Sequence, residues 1–213
     1  MSKKIAIIDY QLGNLFSVRQ ACLYLGFDAV ITSDPKEVME ADNIILPGVG
    51  AFADAMQNLK TLRLIEPIRD FVDSGRPFMG ICLGLQLLFT ESAEFGISKG
   101  LNLIDGVIRK FPPTDNNGQV LKVPQIAWNQ IQETKQNNWS DTPLKSCNNG
   151  DYMYFVHSFY VQPASDEMTL TTTEYGGLTY CSSIIKENIF ACQFHPEKSG
   201  LPGVEIYKNW LHK

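Results

Sequence analysis

The sequence predicts an α/β fold: a central, mostly parallel sheet with flanking helices and antiparallel strands added later in the chain. Three observations carry this. The first ninety residues alternate short β-branched runs with helix-spaced apolar residues, the order that builds parallel sheets. The second half is a series of β-branched and aromatic runs separated by Asn- and Gly-rich turns. The chain has 213 residues, with no internal repeat, low-complexity tract or dividing linker. We therefore read residues 1–213 as one domain, large enough to bury a substantial core.

The elements follow in order. Lys4–Asp9 is a short run suited to a buried parallel strand. After a turn at Gly13-Asn14, residues Leu15, Val18, Cys22 and Leu25 recur at helical spacing and Gly26 stops them. Asp28–Ile31 is a second strand, and Ser33-Asp34-Pro35 starts a helix with a capping side chain and a first-turn proline. Asn43–Leu46 is a third strand, running into Pro47-Gly48-Val49-Gly50. Leu64–Ser74 has a helical period ended by Gly75-Arg76-Pro77; Phe78–Ile81 is a fourth strand, and Cys82 opens a helix through Phe89. Further strands are expected at Gly106–Lys110, Val120–Val123, Tyr152–Val156, Met168–Thr173, Thr179–Lys186 and Ile189–Phe194. Thr134–Ser140 reads as an exposed polar loop and Gly203–His212 as a closing helix.

Composition narrows the function. Apolar residues make up 44% and charged residues 19%, the balance of a globular chain, and the net charge is −5. No basic field favours nucleic acid or an anionic membrane. The apolar stretch Phe78–Phe89 is too short and too interrupted to span a bilayer, and no targeting segment is visible, so a cytoplasmic protein is expected. The five cysteines form neither a disulfide framework nor a zinc pattern, and no metal is expected.

One cysteine stands apart. Gly80-Ile81-Cys82-Leu83-Gly84 is the thiol version of a nucleophile elbow, in which a strand turns abruptly into a helix and small residues on either side let neighbouring backbone pass. A thiol at a helix start is favoured as the thiolate. Taken alone, G-x-C-x-G is equally compatible with a packed cysteine. Cys22, Cys181 and Cys192 fit packing roles, and Cys147 lies in a polar loop. A thiolate nucleophile needs a histidine. Of His157, His195 and His212, His195 is favoured, because Glu197 two positions on can lie beside it and orient its ring. Pro47–Gly50 offers backbone amides for an oxyanion, although that segment alone reads as a plain turn.

These segments resemble the class I, triad-type glutamine amidotransferases. The resemblance rests on Leu46–Phe52, Gly80–Gln86 and Gln193–Ser199. Ile8-Asp9-Tyr10, Gly13-Asn14-Leu15, Trp128-Asn129 and Tyr154–Tyr160 narrow it to the branch of glutaminase subunits of imidazole glycerol phosphate synthases, over essentially the whole chain. The resemblance implies a class I glutamine amidotransferase-like fold in which Cys82 attacks the side-chain amide of L-glutamine, His195 moves the proton and Glu197 orients His195. Amides near Val49, Gly50 and Leu83 hold the oxyanion. Gln86, His157, Ser158 and Phe159 hold the substrate. It implies no cofactor. It also implies a separate (β/α)8-barrel cyclase subunit as heterodimeric partner, facing Trp128, Tyr154 and Lys198, that uses the ammonia to make imidazole glycerol phosphate and an aminoimidazole carboxamide ribonucleotide. A single glutaminase domain leaves no residues over for a second synthase site.

The chain departs from the family pattern at Gln11 and Ala127, where glycine is usual, and at Gln125, where histidine is usual. The triad residues are intact. Two partners therefore stand open: the histidine-pathway cyclase, or a cyclase-like partner of a paralogue that supplies ammonia for amidination of surface sugars.

Overall fold

A computed structural model describes residues 3–212. Its strands are β1 (Ile5–Ile8), β2 (Ala29–Thr32), β3 (Asn43–Gly48), β4 (Phe78–Cys82), β5 (Phe89–Ser92), β6 (Ser98–Lys99), β7 (Ile104–Lys110), β8 (Gln125–Gln130), β9 (Gln132–Glu133), β10 (Tyr152–His157), β11 (Phe159–Pro163), β12 (Thr169–Tyr175), β13 (Leu178–Lys186) and β14 (Ile189–Cys192). The helices are α1 (Leu15–Tyr24), α2 (Pro35–Glu40), α3 (Phe52–Thr61), α4 (Ile65–Asp73), α5 (Leu83–Leu87) and α6 (Gly200–Leu211).

Twelve strands form one mixed sheet whose main path runs β2-β1-β3-β4-β14-β13-β11-β7-β5-β6, with β12 and β9 branching from β13. The strands from β2 to β14 are mutually parallel; β13, β11 and β7 then continue antiparallel. Side chains alternate across the sheet. Ile5 and Ile7 join one buried cluster with α1, α6 and the β8–β10 hairpin, while Ala6 and Ile8 join the other with α3 and α4. Because β14 lies parallel to β4, with Cys192 opposite Ile81, the late segment 193–197 emerges beside the end of β4. Ligands in such sheets bind beyond these carboxyl ends. Among the described residues, no helix is long and apolar enough to cross a membrane.

Three expectations change, and several elements were not anticipated, among them strands β8 and β11. The helix after Cys82 ends at Leu87 rather than Phe89, because residues 89–92 pair in parallel with β7. Val120–Val123 forms no strand: Val120 makes a single bridge to Thr114 and is exposed, so no burial rewards further pairing, and Pro124 has no N–H to continue it. The 134–140 segment is irregular as expected, but Trp139 is buried and its Nε1 donates to the Leu170 carbonyl at 3.1 Å. Helix α3 was not anticipated. It lacks a capping side chain of its own, and its first N–H, from Phe52, donates to Glu94 at 2.7 Å.

Candidate active site

Cys82 is the last residue of β4 and the cap of α5, with φ +55° and ψ −108°. This left-handed corner is costly for a residue with a side chain and persists only where its surroundings fix it. The two glycines of the motif do so. A Cβ on Gly84 would lie 1.8 Å from the Leu46 carbonyl, and one on Gly80 would lie 3.0 Å from both Ala191 Cβ and the Gly84 carbonyl. With only five residues, and with no side-chain capping hydrogen bond at Cys82, α5 offers the sulfur no long helix dipole.

His195 lies just beyond β14 and is buried. Its N–H donates to the Tyr154 carbonyl at 3.0 Å and its carbonyl accepts from Ser199 Oγ at 2.7 Å, so the backbone is fixed at both ends. Glu197 Oε1 accepts from His195 Nδ1 at 2.8 Å. The expected pairing of positions i and i+2 is present, though it arises from a 3-10 turn at Pro196–Lys198 rather than from an extended chain. With Nδ1–H committed to the carboxylate, Nε2 is left to accept a proton, and it has no hydrogen-bond partner of ordinary geometry among the described residues. Burial disfavours a charged ring. The neighbouring Cys82 sulfur first, and then the Glu197 carboxylate, outweigh that and raise His195 to about 10. An imidazole oriented in this way is equipped to exchange a proton with a neighbouring thiol.

The other thiols lack these features. Burial pushes Cys22, Cys147 and Cys181 up to about 12 and raises Cys192 well above its ordinary value.

A cavity of about 250 Å³ opens over Cys82. It is lined by Val49, Gly50, Leu83, Gln86, His157, Ser158 and Phe159, so the structure brings all seven expected binding residues to one place. Val49 and Gly50 arrive there because Gly48, the end of β3, is in register with Cys82. His157 is buried and donates from Nδ1 to the Phe159 carbonyl at 2.8 Å; burial first, against that hydrogen bond, lowers it to about 4, so it is neutral. Three further lining residues were not anticipated: Glu94, Pro124 and Val156. Glu94 is the only carboxylate in the lining, and no local motif marks it.

Trp128, Tyr154 and Lys198 also come together, outside the cavity. The Trp128 and Tyr154 rings meet edge-on at 6.1 Å, and Lys198 Nζ lies 5.8 Å from the centre of the Tyr154 ring. Tyr154 in turn lies 6.5 Å from the His195 ring. Trp128 is 52% exposed and Ile126 54%, so one face of the β8–β10 hairpin presents apolar side chains to solvent. The three departures are accommodated. Gln11 has φ +70°, a conformation glycine adopts freely, with its N–H held by Asp9 at 2.8 Å. Ala127 lies within β8 and needs no glycine. Gln125 is fully buried, its Oε1 3.0 Å from the Tyr180 hydroxyl.

Residues 6–213 match the family described as glutamine amidotransferase class-I. The chain belongs to the class I glutamine amidotransferases. It is 47% identical over 207 residues to the imidazole glycerol phosphate synthase subunit HisH of Geobacter metallireducens, covering 97% of this chain and 96% of that one. It is 44% identical to HisH 1 of Legionella pneumophila, covering 97% and 98%. Among solved structures, PurLQS from Thermotoga maritima superposes with a TM-score of 0.70 at 20% identity, covering 100% of this chain and 99% of the other. A structure described as a glutamine amidotransferase superposes with a TM-score of 0.71 at 13% identity, covering 97% of each.

Proposed function

We propose that this amidotransferase is the glutaminase subunit of an imidazole glycerol phosphate synthase. It hydrolyses L-glutamine to glutamate and passes the ammonia to a separate (β/α)8-barrel cyclase subunit. That partner makes imidazole glycerol phosphate and an aminoimidazole carboxamide ribonucleotide. The observation that carries the chemistry is the buried His195–Glu197 pair together with the strained Cys82 corner, which lines a cavity of about 250 Å³.

In this reading Cys82 gives its proton to His195 Nε2, and Sγ attacks the side-chain amide carbon of glutamine. Backbone amides around Val49, Gly50 and Leu83 hold the resulting oxyanion. His195 returns the proton to the leaving nitrogen, so ammonia departs and a γ-glutamyl thioester remains. Water, deprotonated by His195, then cleaves the thioester and restores the thiol. Gln86, His157, Ser158 and Phe159 hold the substrate, and Glu94 faces its α-ammonium group.

We read residues 1–213 as a single glutaminase domain, with β4 and β14 as its seam. In this reading the ammonia is used on the partner subunit. In water it takes a proton and loses its nucleophilic lone pair, which favours a sealed heterodimer interface. The exposed apolar face around Ile126, Trp128 and Tyr154, with Lys198 beside it, supports that location. A nucleophilic thiol that must stay reduced suits the cytoplasm.

The test mixes the purified chain with a histidine-pathway cyclase, its nucleotide substrate and glutamine. Glutamine-dependent imidazole glycerol phosphate is expected. Product with ammonium salts but none with glutamine would contradict the pairing. It would favour the alternative that Gln11, Gln125 and Ala127 leave open, a paralogue serving amidination of surface sugars.

A further inference from the structure

Gln193 has no part in the chemistry above, yet its side chain joins Cys82 to Gln86. It is fully buried. Its Nε2 donates to Cys82 Sγ at 3.5 Å, and its Oε1 accepts from Gln86 Nε2 at 3.0 Å. Gln86 Nε2 also donates to the Phe159 carbonyl at 3.0 Å, and that carbonyl accepts from His157 Nδ1 as well.

The polarity of this chain is forced from one end. A backbone carbonyl can only accept, so Gln86 must present its amide nitrogen to Phe159. The same nitrogen faces Gln193, which must answer with its carbonyl oxygen. The remaining Gln193 nitrogen then has to point at the sulfur. Turning Gln86 end for end would set its oxygen against the Phe159 carbonyl, and turning Gln193 would set N–H against N–H, in a buried site where either mismatch is costly. The backbone of Gln193 is held too, its N–H donating to the Ser182 carbonyl at 2.8 Å. On its other side the thiol points to the Val156 carbonyl at 4.0 Å, an acceptor that suits the protonated sulfur. The two neighbours thus favour opposite protonation states.

We propose that Gln193 is a further residue of the reaction: it donates a hydrogen bond to the Cys82 thiolate, and the Phe159 carbonyl and Gln86 lock it in the orientation that does so. This rests on Cys82 being the nucleophile. A hydrogen bond to a charged group is roughly twice as strong as a neutral one, enough to raise the thiolate fraction about tenfold.

The test is the pH profile of iodoacetamide alkylation, quantified on the Cys82 peptide, in the wild type, Gln193→Met and Gln193→Glu. Met fills similar space without a donor; Glu keeps the shape but turns an oxygen toward the sulfur. Thermal melts identify the variants that fold, and either one suffices. In a folded variant the midpoint should move to higher pH, with alkylation near neutrality slowed about tenfold and the rate recovered at high pH. Superimposable profiles would overturn the proposal. A glutamine-like diazoketone, applied to the wild type in parallel, separates the two readings. No adduct on Cys82 would sink the nucleophile assignment, whereas the iodoacetamide profile reports the hydrogen bond regardless.

Discussion

At the scale of single residues, the site combines one strained corner with one oriented base. A corner with φ +55° at Cys82 costs about 1–3 kcal/mol, and the close approach of Gly84 to the Leu46 carbonyl keeps it in place. That part was legible in the sequence, because spacing of two around a cysteine states the packing requirement directly. The His195–Glu197 pairing was also legible, although a 3-10 turn and not the expected extended chain brings the two together. Gln193 and Glu94 were not. Gln193 acts through an amide chain that closes only when β14 lies against β4, and Glu94 reaches the cavity from a segment 42 positions beyond the helix start it caps. If Glu197 fixes the Nδ1–H tautomer of His195, Glu197→Gln lowers partner-stimulated glutamate release by about 10²–10⁴-fold with the fold retained. Steady-state kinetics alongside circular dichroism would show it, and unchanged turnover would remove Glu197 from the triad.

At the scale of elements, β1, β3 and β4 follow from short apolar runs, since a strand buried on both faces needs apolar residues throughout, whereas the edge strand β2 leaves Val30 and Ile31 exposed. The β8–β10 hairpin defeats that logic. Alternation along Gln125–Gln130 points Ile126 and Trp128 at a core, but they face solvent while Gln125 is buried. In the proposed heterodimer the cyclase subunit covers this apolar face, which a single-chain pattern does not express. Helix α3 was hidden similarly, its start fixed by a remote carboxylate. The hairpin yields a prediction: Trp128→Ala shifts stability by no more than about 0.5 kcal/mol, since its side chain is half exposed. It should nevertheless weaken the cyclase complex at least fivefold, about 1 kcal/mol. Calorimetric titration beside a melting curve tests both, and a large loss of stability with full affinity would assign Trp128 to packing.

At the scale of the whole molecule, the mixed sheet carries residues from both halves of the chain to one end, and stability and chemistry share the buried histidine next to the cavity. His157 is lowered from its ordinary 6.5 to about 4, chiefly by burial. The unfolded chain takes up a proton where the native one does not. This contribution is therefore fully present above pH 6.5 and is lost as pH falls from 6.5 through 4, about 3 kcal/mol in all. Denaturant midpoints across that range should fall less steeply for His157→Gln than for the wild type; equal slopes would mean that His157 titrates normally in the fold. The central claim is that one thiol in this chain carries glutamine turnover. Its most direct test is acid-quenched peptide mass spectrometry of the cyclase complex, sampled while it is consuming glutamine. The account predicts a γ-glutamyl adduct on the Cys82 peptide alone, and at least about a 10⁴-fold loss of glutamate release in Cys82→Ala. An adduct on another residue, or wild-type glutamate release from Cys82→Ala, would contradict it.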